Sequence, residues 1–320
     1  MTSARAHPAT GFVCDEAYLD HDAGPGHPES PLRIGAVLDG LREAALLDKL
    51  VPLAPLPCEL DWVLAVHTGP YVALVRREVE AGHMILSTGD TNLCRASYDV
   101  ALAAAGGCVA AVQAVLAGEV HNAFCAVRPP GHHAGPDCGM GFCIFNNAAI
   151  AARYAQRHGG VERVLIVDWD VHHGNGTQDV FYEDPTVLYC SLHEGGLYPM
   201  PITGKGHARQ GGAGRGEGFT LNIPLPFGSG DEETIAALAE RLVPAARSFR
   251  PDLLIISAGF DSRRGDPLGD LDITDEGFGR LTCLAAGLVP AGRVVSVLEG
   301  GYNLAGLASA SAAHVRALME

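Results

Sequence analysis

The residues best suited to chemistry lie in one short run. Asp168, Asp170 and His172 alternate with apolar residues directly after an apolar stretch, RVLIV. If extended backbone continues through the run, the three polar side chains point to one side, because side chains alternate between the faces of a strand. Asp261, in SAGFD after another apolar stretch, offers a further carboxylate. Two carboxylates and one imidazole, with a position left for water, suit a catalytic Zn²⁺ ion, and Fe²⁺ or Co²⁺ accept the same ligands.

Two further segments carry candidates for acid–base chemistry. His132 and His133 follow RPPG, a turn sequence that can present adjacent side chains to one cavity. Each histidine needs an acceptor for its second ring nitrogen, and Asp168 and Asn175 are the available ones. An aspartate favours the charged imidazolium, whereas an asparagine leaves its histidine closer to neutral. Tyr302, after two glycines, places near the same rim a phenol that can donate a hydrogen bond to an oxyanion.

Short apolar runs alternate with helical segments along the chain. Predicted strands cover residues 11–14, 121–127, 163–167, 186–191, 219–223, 252–257 and 293–298. Predicted helices cover residues 32–47, 95–117, 147–158, 231–249, 274–289 and 303–319, and residues 194–218 are expected to form a loop. Apolar strands separated by helices predict a parallel sheet covered on both faces, in a single domain over residues 1–320. The chemical residues lie just past strand ends, where open parallel sheets form their sites.

Composition narrows the classes of function. Lys plus Arg number 22 against 37 for Asp plus Glu, and the net charge of −15 disfavours direct binding to nucleic acid or to an anionic membrane. The nine cysteines form no CxxC pair, which favours reduced thiols inside the cell. The N-terminus lacks the apolar core of a signal peptide, and no apolar run approaches membrane-spanning length. We therefore expect a cytoplasmic protein.

Six motifs occur along the chain in a fixed order: RPPGHH, GMGFCIFNN, DWDVHHGNGTQ, SLH, AGFDSRRGDPLG and LEGGYN. Together they resemble the histone deacetylase and acetylpolyamine amidohydrolase superfamily, and GHPESPLR and LEGGY resemble its class II branch, which has many bacterial members. The resemblance runs from Gly26 to Asn303. It implies the arginase/deacetylase α/β fold, with a central parallel sheet between helices. It also implies a zinc-dependent amidohydrolase that releases acetate and a free amine.

The resemblance implies a role for each matching residue. The implied zinc ligands are Asp170, His172 and Asp261. The implied catalytic residues are His132, His133, Tyr302, Asp168 and Asn175, with Asp168 behind His132 and Asn175 behind His133. The implied lining of an acyl-lysine tunnel is Phe142, Tyr198, Gly141 and Leu268. The implied site of a structural K⁺ ion is formed by Asp168, Asp170, His172, Ser191 and Leu192.

Some positions bear on the substrate. Tyr198 replaces a commoner phenylalanine, and Leu268 stands near the place where polyamine-selective relatives carry an acid. The rim acid that grips the substrate backbone is hard to place, with Asp90 in STGDTN as the candidate. Acetyl-lysine in proteins or peptides is the leading substrate, and an acetylpolyamine or another small acylated amine is the alternative. A non-catalytic acyl-ligand sensor would lack a ligand or the tyrosine, and the sequence has both. The assembly state stays open, a homo-oligomer included.

Overall fold

A computed structural model of the protein describes residues 9–320. Within this range, eight strands form one sheet in which every neighbouring pair is parallel. The strands are β1 (Thr10–Val13), β2 (Val51–Leu53), β3 (Asn122–Cys125), β4 (Val164–Asp168), β5 (Val187–Glu194), β6 (Thr220–Leu225), β7 (Leu253–Ala258) and β8 (Val294–Leu298). Their order across the sheet is β2-β1-β3-β8-β7-β4-β5-β6, which confirms the predicted parallel sheet. The edge strand β2 was not predicted, because it has three residues and its Pro52 is unfavourable in a strand.

Helices connect the strands. They are α1 (Leu32–Glu43), α2 (Leu60–Val63), α3 (Gly69–Ala81), α4 (Ser97–Ala117), α5 (Asn147–His158), α6 (Asn175–Phe181), α7 (Met200–Thr203), α8 (Asp231–Ala237), α9 (Val243–Phe249), α10 (Asp275–Ala286) and α11 (Leu304–Met319). The predicted helix over residues 231–249 is continuous, but a π-helical segment, Leu238–Leu242, joins α8 to α9. The predicted loop over residues 194–218 contains α7.

The helix α3 was not predicted, because Gly69 and Pro70 stand at its start. The side chain of Thr68 caps this helix by accepting a hydrogen bond from the N–H of Tyr71. Proline is tolerated in the first turn of a helix, since its missing N–H has no partner there. A Thr-Gly-Pro sequence that resembles a loop is therefore a helix start in this protein.

Helices cover both faces of the sheet. In β3 the neighbouring residues Phe124 and Cys125 point to opposite faces, as successive side chains of a strand must. The ring of Phe124 lies 5.5 Å from that of His314 in α11, whereas Cys125 lies beside Cys108 of α4. α1 and α10 pack against α11, and α5 packs against α4. The sheet is thus the middle of three layers, which is why its strands read as continuous apolar runs.

The helix α4 corrects one expectation. Its 21 residues are long and apolar enough to cross a membrane, although the sequence analysis found no such run. In the fold, 72% of its apolar window is buried. A Cβ on Gly106 would lie 2.0 Å from the carbonyl oxygen of Leu56, so the helix is also closely packed along its glycines. Its apolar character thus has a structural reason in the core.

The carboxyl ends of the central strands meet at one edge of the sheet. The register aligns Asp168, the last residue of β4, with Ser191 of β5 and Ser257 of β7. β3 leads into the RPPGHH turn, and β8 leads into the glycine turn that carries Tyr302. The loops with the predicted site residues therefore leave the sheet side by side, as its topology requires.

Candidate metal centre and active site

A buried group of three side chains lies beyond the ends of β4 and β7. One ligand atom each from Asp170, His172 and Asp261 lies within 4.8 Å of the others. Nδ1 of His172 is 3.0 Å from Oδ1 of Asp170 and 3.1 Å from Oδ2 of Asp261. Ligand atoms around a tetrahedral Zn²⁺ ion with bonds of about 2.0–2.1 Å stand about 3.3 Å apart. The three donors therefore have the type and spacing that such an ion accepts.

These side chains do not meet through strand alternation, as the sequence analysis assumed. β4 ends at Asp168, and residues 169–174 leave the strand. Oδ1 of Asp168 accepts a hydrogen bond from the N–H of Asp170 at 3.2 Å, and Oδ1 of Asp170 accepts one from the N–H of His172 at 2.9 Å. Such local side-chain bonds to the backbone compete with the extended ladder, and hydrophobic periodicity does not reveal them.

The backbone approaches the carboxylates closely enough to require glycine. The N–H of Gly300 donates to Oδ2 of Asp170 at 2.8 Å, and the N–H of Val171 donates to Oδ1 of Asp261 at 2.9 Å. A Cβ on Gly300 would lie 2.0 Å from Oδ2 of Asp261, and one on Gly259 would lie 2.2 Å from Oδ2 of Asp170. Both carboxylates are therefore held by amide groups, and each turns its other oxygen to the imidazole.

The group of three favours positive charge. Burial opposes protonation of His172, but hydrogen bonds to Asp170 and Asp261 raise its pKa to about 10. Burial and the charge of Asp170 raise the pKa of Asp261 to about 7. Two buried carboxylates that compete in this way need a positive partner, and a divalent cation supplies more charge than a single proton. The donor types, their spacing and their electrostatics thus agree on a cation site.

The paired histidines lie beside this site with ring centroids 4.0 Å apart. Nδ1 of His132 is 3.1 Å from Oδ2 of Asp168, which also accepts the hydroxyl of Tyr189 at 2.9 Å. Nδ1 of His133 is 2.7 Å from Oδ1 of Asn175, the first residue of α6. The structure therefore places a different acceptor behind each histidine, an acid behind His132 and an amide behind His133.

The two histidines differ in charge. Burial opposes it, but the charges of Asp170 and Asp168 raise the pKa of His132 well above its ordinary value. Burial, together with the positive charges of His132 and His172, lowers the pKa of His133 well below its ordinary value. The pair offers one charged imidazolium and one neutral imidazole, in the direction that the two acceptors favour.

Glu299 is a buried acid that the sequence analysis did not single out. Its Oε2 accepts the N–H groups of Gly131 and His132, at 2.7 and 3.1 Å, and its Oε1 accepts the hydroxyl of Ser257 at 3.0 Å. It ties the histidine turn to the ends of β7 and β8. Burial raises the pKa of Glu299 to about 7. Its position directly after an apolar strand could have identified Glu299 as buried. A buried acid is rare unless it has partners, so Glu299 could have been expected to bind polar groups at the site.

Tyr302 follows the glycine turn after β8. The N–H groups of Tyr302 and Asn303 donate to Oδ2 of Asp266, at 2.7 and 2.9 Å. The guanidinium of Arg33 lies 5.1 Å from the centre of the Tyr302 ring and donates to the carbonyl oxygen of Gly301 at 2.8 Å. Burial raises the pKa of Tyr302 well above its ordinary value, so the phenol stays a hydrogen-bond donor at neutral pH.

Arg33 belongs to a buried ionic cluster that the sequence analysis also missed. Its central residue is Glu29, which is fully buried. Glu29 lies 3.3 Å from Nη1 of Arg33, 2.8 Å from Nη2 of Arg128 and 3.5 Å from Nε2 of His21. Burial opposes ionisation, but these partners lower the pKa of Glu29 well below its ordinary value. Local sequence patterns cannot pair Glu29 with Arg128, since 99 positions separate them.

A cavity of about 240 Å³ opens beside the histidines and the cation site. Its walls are formed by Asp90, His133, Gly141, Phe142, His172, Leu197, Tyr198, Leu268 and Tyr302. The structure thus brings together all four residues expected in the tunnel. Phe142 has a left-handed backbone, with φ of 67°, and its ring meets that of Tyr302 edge to face at 5.9 Å. Apolar rings and Leu268 suit a methylene chain, whereas the inner histidine and phenol suit a polar amide.

The residues expected around a monovalent cation lie beside the same strand ends. Ser191 pairs with Asp168 in the sheet register, and Leu192 follows it in β5. Within residues 9–320, no backbone amide donates to the carbonyl oxygen of Asp170 or of His172. Carbonyl oxygens of buried residues normally have a partner, so these two are available to a cation.

Comparison with known proteins shows the family of this chain. The family profile described as "Histone deacetylase domain" matches residues 27–318. The chain is 43% identical over 302 residues to a probable deacetylase of Archaeoglobus fulgidus, covering 93% of this chain and 82% of that one. It is 41% identical over 299 residues to the polyamine deacetylase HDAC10 of Mus musculus, covering 91% of this chain and 45% of that one.

A solved structure gives the same result. The crystal structure of the HDA15 HD domain matches with a TM-score of 0.90 at 39% identity, covering 98% of this chain and 90% of that one. The protein therefore belongs to the histone deacetylase family. Its fold is the arginase/deacetylase α/β fold that the resemblance implied.

Proposed function

We propose that the protein is a zinc-dependent deacetylase that hydrolyses the acetamide of acetyl-lysine in proteins or peptides. The observation that carries this proposal is the grouping of a neutral histidine, a phenol donor and a buried cation site around one cavity. Amide hydrolysis needs a base, a donor for the oxyanion and a Lewis acid. Each of the three has a candidate here.

Asp170, His172 and Asp261 would hold the metal. Three protein ligands leave an open position, as catalytic zinc sites do. Fe²⁺ and Co²⁺ suit the same ligands, so elemental analysis of the purified protein is needed to identify the bound ion. When bound, the ion supplies Lewis acidity to the substrate carbonyl and to the attacking water.

His133 is the proposed proton shuttle. The amide nitrogen of Asn175 lies 3.5 Å from the carbonyl oxygen of His133 and 3.4 Å from Sδ of Met140, which assigns its Oδ1 to the histidine ring. Nδ1 of His133 then carries the proton and donates to that oxygen, which leaves a lone pair on Nε2. The neutral imidazole takes a proton from the attacking water and delivers it to the leaving amine. The products are acetate and a free amine.

His132 and Tyr302 would stabilise negative charge. His132 is held as the imidazolium by Asp168 and places a positive charge next to the shuttle. The phenol of Tyr302 donates to the oxyanion that forms when water adds to the carbonyl. Asp266 and Arg33 fix the turn that carries this phenol, so the donor is oriented before substrate arrives.

A structural K⁺ ion is proposed beside the metal site. Its ligands would be the Asp168 side chain, Ser191, and the carbonyl oxygens of Asp170, His172 and Leu192. The carbonyl oxygens of Asp170 and His172, to which no backbone amide of residues 9–320 donates, support this assignment. We expect the thermal stability of the protein to be higher in K⁺ than in a large organic cation that does not fit the loop.

The variant Tyr302→Phe tests the proposed function. It should retain metal, measured by elemental analysis, and lose about 10²- to 10³-fold in kcat on an acetyl-lysine peptide. Tyr154→Phe is the matched control, because among residues 9–320 the Tyr154 hydroxyl hydrogen-bonds only with the side chain of Gln113, and Tyr154 does not line the cavity. Near wild-type turnover in Tyr302→Phe would exclude the oxyanion role.

An acetylpolyamine is the second candidate substrate. The net charge of −15 attracts polycations, and one relative is named a polyamine deacetylase. The cavity favours the peptide, because Leu268 is apolar and Asp90 is the single acid among the cavity residues of the described chain. The ratio of kcat/KM for an acetyl-lysine peptide to that for N-acetylputrescine decides between them, and a ratio below one would favour the polyamine.

A further inference from the structure

Tyr198 and Asp90 meet at the solvent end of the cavity. The Tyr198 hydroxyl donates to Oδ1 of Asp90 at 3.2 Å, across 108 positions of sequence. The same oxygen accepts the N–H of Gly141 at 2.6 Å. All three residues line the cavity, and the exposed Asp90 marks its outer end. One carboxylate oxygen therefore joins two segments of the cavity wall.

The backbone that carries Asp90 is fixed. The N–H of Ser87 donates to Oε2 of Glu78 at 2.9 Å. The hydroxyl of Thr88 donates to the carbonyl oxygen of Gly139 at 2.8 Å and accepts the N–H of Gly139 at 3.1 Å. On the other side, the hydroxyl of Thr91 donates to the carbonyl oxygen of Cys143 at 3.1 Å. With the backbone held both before and after Asp90, the main freedom left to this residue is rotation of its side chain.

The two donors on Oδ1 remove that freedom. A single N–H from Gly141 leaves the carboxylate free to turn about the bond to its acceptor oxygen, whereas a second donor fixes the plane of the group. Burial and the charge of Asp90 raise the pKa of Tyr198, so its phenol keeps the proton it donates. Within residues 9–320, no group donates to the other oxygen, Oδ2. Asp90 thus presents one oriented and unpartnered oxygen at the rim of the cavity.

The family resemblance makes Asp90 the candidate rim acid for the substrate backbone. We propose that Tyr198 is a positioning residue, whose hydroxyl orients this acid so that Oδ2 accepts a backbone N–H of an acetyl-lysine peptide. The inference rests on the proposed function. A lysine side chain threaded through the cavity leaves its backbone at the outer end, where Asp90 lies. A lone carboxylate oxygen suits one N–H donor, and the cavity residues of the described chain include no second acid that would serve the several ammonium groups of a polyamine.

The experiment compares Tyr198→Phe with wild type on two amides. One is an acetyl-lysine peptide, and the other is N-pentylacetamide, which has the same methylene chain and no backbone N–H. Tyr198→Phe should raise KM for the peptide about three- to tenfold and leave kcat within about twofold. The effect is smaller than the loss of a whole hydrogen bond to a charged group, because Asp90 stays in place and only loses its fixed orientation. KM for N-pentylacetamide should change by less than about twofold, because nothing in it reaches Asp90.

Two further variants separate positioning from a simple wall effect. Asp90→Ala should raise the peptide KM at least as much as Tyr198→Phe, and the double variant should equal Asp90→Ala, because Tyr198 acts through Asp90. Tyr154→Phe controls for loss of a phenol hydroxyl elsewhere. An equal loss on both amides, or an added effect of Tyr198→Phe in the Asp90→Ala background, would overturn the inference.

Binding measurements keep this test distinct from the test of the proposed function. Titration calorimetry on metal-free wild type and Tyr198→Phe gives dissociation constants for both amides without turnover. If the zinc-loaded wild type hydrolyses neither amide, the proposed function is wrong. The positioning role stands if Tyr198→Phe raises the dissociation constant of the peptide and leaves that of N-pentylacetamide unchanged. It is refuted if the substitution changes neither dissociation constant, or changes both by the same factor.

Discussion

Replacing Glu29 by Gln should destabilise the whole fold. The substitution keeps the shape of the side chain and removes the one negative charge among Arg33, Arg128 and His21. Glu29 is fully buried, so solvent cannot replace the lost charge. Removing one partner of a buried ion pair costs about 3–5 kcal/mol, because the other charge stays buried without compensation. Native domains are stable by only about 5–15 kcal/mol, so the expected loss is a large share of the total.

The dependence of this effect on pH has a definite sign. The pKa of Glu29 in the folded protein lies well below its ordinary value of 4.5. Its stabilising contribution is therefore complete above the unfolded value and is lost as pH falls below 4.5 toward the folded value. The difference between wild type and Glu29→Gln should therefore shrink in acid. Against burial, hydrogen bonds to Cys94 and Glu29 raise the pKa of His21, so the part of the difference that comes from the Glu29–His21 pair should also be lost as pH rises through that raised value.

Urea unfolding followed by circular dichroism measures the change in free energy of unfolding. Glu80→Gln is the matched control, since Oε1 of Glu80 lies 2.8 Å from Nε of Arg76 and both side chains are more than half exposed, at 63% and 65%. Exposed pairs contribute little, so this control should unfold like wild type. If Glu29→Gln lost no more stability than Glu80→Gln, the view of Glu29 as the essential counter-charge would be refuted. In the folded variant, kcat should also fall, because Arg33 contacts the Tyr302 ring and its turn.

Other predictions address the metal, the shuttle and acid stability. Chelation should abolish deacetylation and added Zn²⁺ should restore it; activity in protein shown to be metal-free by elemental analysis would contradict the proposed chemistry. His133→Ala should keep the metal and lose about 10²- to 10⁴-fold in kcat, whereas loss of the metal would identify His133 as a ligand. Asp261→Asn should lower metal affinity, because an amide replaces a charged ligand, and calorimetric titration with Zn²⁺ measures this. Burial lowers the pKa of His67 and His193 to about 4 and that of His314 to about 3. Because the unfolded chain protonates these histidines first, urea midpoints should fall as pH drops below about 6.5, and a midpoint that is constant down to about pH 4.5 would contradict their neutral burial.

Local signals in the sequence determined much of the fold. The apolar runs RVLIV and DLLIIS predicted β4 and β7, because strands covered on both faces have few polar positions. The position of Asp168 at a strand end then predicted an edge where loops from several strands meet. The sequence did not reveal α3, whose start contains Gly69 and Pro70, or β2, which has three residues. A strand as short as β2 is decided by packing rather than by local preference.

The residues of the candidate site followed from their types and spacing, but their geometry did not. Strand alternation was the wrong reason for grouping Asp170 and His172, since side-chain bonds to the backbone bend the chain after Asp168. The metal site required Asp261 to arrive from a separate strand, and only the register of the sheet fixes that distance.

The sequence by itself determined which groups are available: acids, histidines and a phenol at the ends of apolar strands. The tertiary structure decided which charge and which orientation each group has. His132 and His133 are neighbours of the same type, and the acid behind one and the amide behind the other give them different charges. Asp90 and Tyr198 are 108 positions apart and share one hydrogen bond. Charge and orientation depend on neighbours at distances of a few ångströms, and only folding brings residues so far apart in sequence to those distances.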